Sequence, residues 1–187
     1  MQLETERLLL REFQEEDWQT VAGFSESPEA SRYLLDHQKT PFYAFDFVTG
    51  SIAHAGCEPR IHFGLGIVLK ESGQLIGDVA LTLPQVGSAH AHIGWNLDRQ
   101  FWGKGYTTEA MRVLVALAFE RCGVEHLAAY CFADNAASRR VMEKLGMQLQ
   151  SRGRWRQWLL ALAYWETRSI VRYSLSKRQW AEQSSAV

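Results

Sequence analysis

Gln100-Phe-Trp-Gly103-Lys104-Gly105-Tyr106-Thr107-Thr108-Glu109-Ala110 constrains the fold more than any other stretch of this chain. Its two glycines stand one residue apart, directly before a long apolar-periodic segment. Glycine has no Cβ, so the backbone can turn tightly there and bring its N–H groups close to a ligand. The start of the following helix adds unpaired N–H groups and the positive end of its dipole. Together they make a cradle for a phosphate or pyrophosphate. A plain strand-to-helix turn can use the same glycines, so the neighbouring segments have to decide.

Those neighbours are well specified. Met111, Leu114, Val115, Ala118, Phe119 and Cys122 fall on one helical face. Glu109 lies near the helix start, where a carboxylate suits the dipole, and Gly123 follows its end. Residues 89–97 read as a strand before the loop, and residues 126–132 as another after the helix. The glycine loop therefore sits at the carboxyl end of a strand, where open α/β sheets bind ligands. Two familiar phosphate loops are excluded. The chain has no Gly-x-x-x-x-Gly-Lys-Ser/Thr. The dinucleotide fingerprint needs a third small residue where this chain has Thr108.

A second stretch has the same form. In Asn135-Ala-Ala-Ser138-Arg-Arg-Val141-Met-Glu-Lys144-Leu145-Gly146-Met147, Asp134 or Asn135 can cap a helix, Val141 and Leu145 supply its apolar face, and Gly146 ends it. Elsewhere, residues 8–11, 61–69 and 75–83 read as strands, with a hairpin turn at residues 71–74. Glu15, Glu16 and Asp17 open a first helix that buries Trp18, Val21 and Ala22. Residues 40–55 form another helix. Residues 152–168, rich in tryptophan, fit neither period, and a strand with a short helix or an interface segment are both open. Residues 181–187 read as a frayed polar tail.

The 187 residues suit one domain with a real core, here residues 1–180. A net charge of −1 leaves no global footprint for nucleic acid. No apolar run is long enough to span a bilayer, and the N-terminus lacks the form of a signal peptide, so a cytoplasmic location is expected. Cys57, Cys122 and Cys131 are odd in number and lack metal-ligand spacing. They are expected as free thiols, with no metal.

Taken together, these motifs resemble the GNAT acyltransferase superfamily. Gln100-x-x-Gly103-x-Gly105 matches its pyrophosphate-binding motif, and Ile93-Gly94-Trp95 resembles the bulged strand before it. Asn135-x-x-Ser138 and Lys144-Leu145-Gly146-Met147 resemble its next segment. Thr5-Glu6-Arg7-Leu8-Leu9-Leu10-Arg11 and Arg172-Tyr173-Ser174-Leu175 resemble the ends of the RimJ/RimL-like branch, which acetylates ribosomal-protein N-termini. The resemblance covers nearly the whole chain. It implies an α/β fold (α+β by some schemes), with a mixed, mostly antiparallel central sheet of about six to seven strands flanked by helices. That sheet would be splayed between its fourth and fifth strands.

The resemblance also implies a reaction: transfer of an acetyl group from acetyl-CoA to a primary amine, by direct attack in a ternary complex. The backbone of Trp95 and Leu97 would meet the donor. Gly103, Lys104, Gly105, Tyr106 and Thr107 would hold the pyrophosphate, and Asn135 the pantetheine arm. Ser138 would be the acid for the departing thiolate. The base is less legible, because the branch's glutamate position falls near Gln157. Glu166 is the nearest downstream carboxylate, His90 or His92 could relay a proton through water, and Cys131 is read as wall rather than nucleophile. The acceptor would be a protein N-terminus or a small molecule, and the enzyme a monomer or homodimer. A protein that binds acyl-CoA without turnover is the alternative.

Overall fold

A parallel step between two strands requires a crossover, and the described residues make one such step. The computed structural model describes residues 1–153 and 169–184. Its strands are Gln2–Glu4 (β1), Leu8–Arg11 (β2), His62–Leu69 (β3), Gln74–Thr82 (β4), His90–Leu97 (β5), His126–Phe132 (β6), Gln148–Gly153 (β7) and Ile170–Ser176 (β8). They form one sheet in the order β1-β2-β3-β4-β5-β6-β8-β7. Among the described strands only β5 and β6 run parallel, and the helix Tyr106–Arg121 (α4) is the crossover between them. The sheet has eight strands rather than six to seven. Gln2–Glu4 adds a short edge strand on Leu9–Arg11, so the splayed pair becomes the fifth and sixth strands, β5 and β6.

The remaining helices are Asp17–Gly23 (α1), Pro28–Ser31 (α2), Pro41–Ala55 (α3), Ala136–Lys144 (α5) and Lys177–Ser184 (α6). Thr40 stops short of α3 because it caps it: its hydroxyl accepts from the Tyr43 N–H at 3.2 Å, and Pro41 fills the first turn. One face of the sheet buries Leu10, Leu65, Ile67 and Leu81 against Met111 and Leu114 of α4. The other face buries Val68 and Leu75 against Val21 of α1 and Val48 of α3. Each such aliphatic side chain contributes about 1.5–3 kcal/mol by leaving water.

A bulge in β4 fixes what lies on which face. Val68 pairs with Leu75, but Ile67 pairs with Gly77, so Ile76 is an extra residue. Beyond it, Val79 and Leu81 enter the α4-side core, while Asp78, Ala80 and Thr82 alternate to the α1/α3 side.

Residues 181–184, expected within a frayed tail, instead continue α6. Arg178 and Glu182 form an i,i+4 pair at 2.9 Å, and Trp180 packs 5.5 Å from Phe119 of α4. Most of the tryptophan-rich stretch, residues 154–168, lies outside the described residues, as does Glu166.

Candidate active site

β5 and β6 share only three register pairs, from His90↔His126 to His92↔Ala128. Past these the strands diverge, while β4 stays paired with β5 as far as Gly77↔Leu97, and β8 with β6 as far as Phe132↔Ile170. Among the described residues, the β6-facing edge of residues 93–97 therefore meets no strand, and apart from the Leu97 carbonyl, which a side chain of the following loop engages, its polar groups are left for another partner. A cavity of about 540 Å³ opens at this wedge. It runs from the glycine loop to the space between β4 and helices α1 and α3.

The loop is built as its glycines require. Gly103 has φ of 76° and Gly105 φ of 84°, both in the left-handed region that disfavours side chains. Gly105 caps α4, whose first residues, Tyr106 and Thr107, line the cavity; their N–H groups have no partner within the helix. The Trp102 indole donates to the Leu97 carbonyl at 2.7 Å, tying the loop to the end of β5. Lys104 does not line the cavity; its ammonium lies 5.1 Å from the Phe101 ring centroid.

Arg7 explains the N-terminal motif in physical terms. Its Nη1 donates to the Lys104 carbonyl at 3.1 Å, its Nε donates to Glu109 at 2.8 Å, and its guanidinium lies 4.5 Å over the Tyr106 ring. Glu109 also accepts from the Thr5 hydroxyl and from the Arg7 N–H. Burial works against its ionisation, but these hydrogen bonds hold its carboxyl below the ordinary carboxylate range. Glu109 thus does more than complement the helix dipole, because it anchors a brace behind the loop.

On the other wall, Asn135 is buried and caps α5, its Oδ1 accepting from the Ser138 N–H at 3.0 Å. Asn135, the half-buried Ser138 and Cys131 all line the cavity. Burial pushes the Cys131 thiol up to about 11, so it stays protonated near neutral pH, as a wall residue would. The fold therefore brings Trp95, Leu97, Gly103, Gly105, Tyr106, Thr107, Asn135 and Ser138 to one cavity. It does not bring His90 and His92 there. Their side chains border a separate cavity of about 220 Å³, where His90 stacks on His126 at 4.9 Å.

The cavity also holds a residue that pattern reading passed over. Asp78 of β4 is 2% exposed and accepts from the Asn96 amide at 3.1 and 3.3 Å. Burial pushes its carboxyl up to about 7, against the smaller lowering by Asn96. Its signal was available, since Asp78 is the sole charged residue between Leu75 and Leu83. Among the described residues no cluster of three metal-ligating side chains occurs, and no helix is long and apolar enough to cross a membrane.

A sheet wedged open beside a glycine loop at a helix N-terminus defines an acyltransferase architecture. Residues 7–148 match the acetyltransferase (GNAT) domain, and the chain belongs to that family of N-acetyltransferases. It is 28% identical over 148 residues to the uncharacterized N-acetyltransferase YnaD of Bacillus subtilis (strain 168), covering 79% of this chain and 83% of that protein. Among solved structures it resembles a GNAT-family acetyltransferase from Bacillus anthracis, with a TM-score of 0.76, 22% identity and coverage of 95% and 99%. It also resembles RimL, the ribosomal L7/L12 alpha-N-protein acetyltransferase, in complex with coenzyme A, with a TM-score of 0.76, 17% identity and coverage of 94% and 98%. At those identities the likeness is one of fold, and it includes the ribosomal-protein type of structure.

Proposed function

We propose that this protein transfers an acetyl group from acetyl-CoA to a primary amine by direct attack within a ternary complex. One observation carries the reading: the unpaired edge of β5 and the glycine loop at the start of α4 open into the same cavity. A pyrophosphate suits the two positive-φ glycines and the helix N-terminus. Nothing lies within 4 Å of the place a Cβ on Gly103 would take, so the backbone there can be approached closely. The pantetheine arm, itself an extended amide chain, would complete the open edge of β5 as a missing strand would. The Asn135 side-chain NH2 would donate to it.

The reaction asks for three things of the protein. The thioester carbonyl must be polarised, which N–H groups of residues 93–97 would do. The amine must reach the carbonyl as the free base, and the departing thiolate needs a proton, which the hydroxyl of Ser138, a residue lining the same cavity, would supply.

Calorimetric titration with acetyl-CoA, with ATP and NAD as controls, tests the reading. Selective binding of acetyl-CoA, followed by thiol release with an amine, supports it. Binding without thiol release for any amine would instead make this an acyl-CoA-binding protein. No binding of acetyl-CoA would overturn the donor assignment.

A further inference from the structure

We propose that the acceptor is a compact, singly charged primary amine on an apolar or aromatic body, and that Asp78 anchors its ammonium and takes the proton it must lose. This rests on the acetyl-transfer reading above and adds to it an acceptor class and a base.

The acceptor end of the cavity is walled by Phe24 at the end of α1, by Tyr33 after α2, and by Tyr43 and Phe47 of α3, whose rings stack 6.4 Å apart. Among the described residues, Asp78 is the charged group at this end. The other charged residues among the described lining are Arg140 and Lys144, both on α5 beside Ser138 at the donor end. One carboxylate among aromatic rings matches one ammonium on an apolar body, which the rings contact by area and by cation–π attraction. Among the described lining residues a polyamine's further charges would find no second carboxylate, and burying them unpaired would carry a high desolvation cost.

The position of Asp78 suits a proton acceptor. It pairs in register with Asn96, between the residues opposite Trp95 and Leu97, on the strand whose open edge is the donor wall. Among the described residues, the groups facing it leave it free to accept. From β5 comes the neutral Asn96 amide; from α3 comes Tyr43; α1 and the residue that follows it offer the apolar Val21 and Phe24; the β3 partner Gly66 has no side chain. Tyr43 cannot compete for the proton near neutral pH. Burial, with Asp78 adding to it, raises its hydroxyl above the ordinary 10. A carboxyl that titrates near 7 is matched to proton exchange at that pH.

The step balances. The ammonium gives its proton to the Asp78 carboxylate, and the free amine attacks the thioester carbonyl. A C–N bond forms, the C–S bond breaks, and the thiolate leaves with a proton from Ser138 or water, which is replaced by the second proton that the attacking nitrogen gives up as it becomes the amide. Asp78 returns its proton to solvent, so the net products are the amide, CoA thiol and one proton.

The test compares 2-phenylethylamine, spermidine and an unmodified hexapeptide as acceptors, with acetyl-CoA affinity measured separately by calorimetry. Phenylethylamine is expected to lead in kcat/KM by more than about tenfold, the discrimination an apolar pocket provides. In Asp78→Asn, acetyl-CoA affinity stays unchanged, while kcat/KM falls by about 10²–10⁴-fold, the span of a lost general base. The acid limb near pH 7 disappears, leaving only the amine's own deprotonation at higher pH. Asp78→Ser regains part of its rate with added formate. Preference for spermidine or the peptide overturns the acceptor class. An unchanged rate and pH profile in Asp78→Asn overturns the base. Loss of acetyl-CoA binding by the wild-type protein would fail the underlying reading instead, and is seen in the calorimetry alone.

Discussion

Asp78→Asn should also change how stability depends on pH, and the size of the effect follows from burial. In the folded protein the Asp78 carboxyl titrates at about 7 rather than the ordinary 3.8. About three decades at roughly 1.4 kcal/mol each make the ionised folded state about 4 kcal/mol less stable than it would be with an unshifted group. The sign follows from proton counting. Between the two values the folded chain keeps the proton and the unfolded chain has lost it, so stability falls as pH rises, and levels off above about 7. Asp17 and Glu12 act in the opposite sense: burial alone would raise them, but Arg11 and Arg60 hold them below the ordinary range. Their contributions cancel when variant and wild type are subtracted at each pH. Denaturant unfolding at pH 5, 6, 7 and 8 reads the difference directly. The advantage of Asp78→Asn over wild type should grow by about 2–3 kcal/mol from pH 5 to 7 and then stay level. A difference that is constant across this range would refute the burial argument, and with it the reason for a proton acceptor poised near neutrality.

Three further outcomes follow from the same geometry. Gly103→Val places a branched side chain at φ of 76° on the open face of the loop, so acetyl-CoA affinity should fall by more than about tenfold while circular dichroism still shows the folded sheet. Arg7→Ala removes the brace on Lys104 and Glu109 without touching the cavity wall; calorimetry should show acetyl-CoA binding weakened by about three- to tenfold, with binding entropy more unfavourable as the loop is ordered on binding. Ser138→Ala should lower kcat by about tenfold or more while leaving acetyl-CoA affinity within about twofold; equal losses in both would make Ser138 a binding residue only.

Much of this protein is written in local sequence. The α4 face of Met111, Leu114, Val115 and Phe119 has the period of a helix and nothing competes with it. Gly103 and Gly105 announce a positive-φ turn because few other residues tolerate one. Asn135 announces a cap, and the observed bond to the Ser138 N–H is three residues away, within reach of any local reading. These features depend on backbone sterics and short-range hydrogen bonds, which a sequence carries by itself. The tertiary structure decided what depends on distant partners. The pairing of Gln2–Glu4 with β2, and of Trp180 with Phe119, involves surfaces that no local period displays. The link from Arg7 to Glu109 spans about a hundred residues, so the N-terminal motif could be matched but not explained. Asp78 is the clearest case. Alternation within β4 says only that it lies opposite Val79. The bulge at Ile76, the divergence of β5 from β6 and the cover of α1 and α3 turn that face into a cavity wall, and only burial in that wall raises a carboxyl toward neutrality.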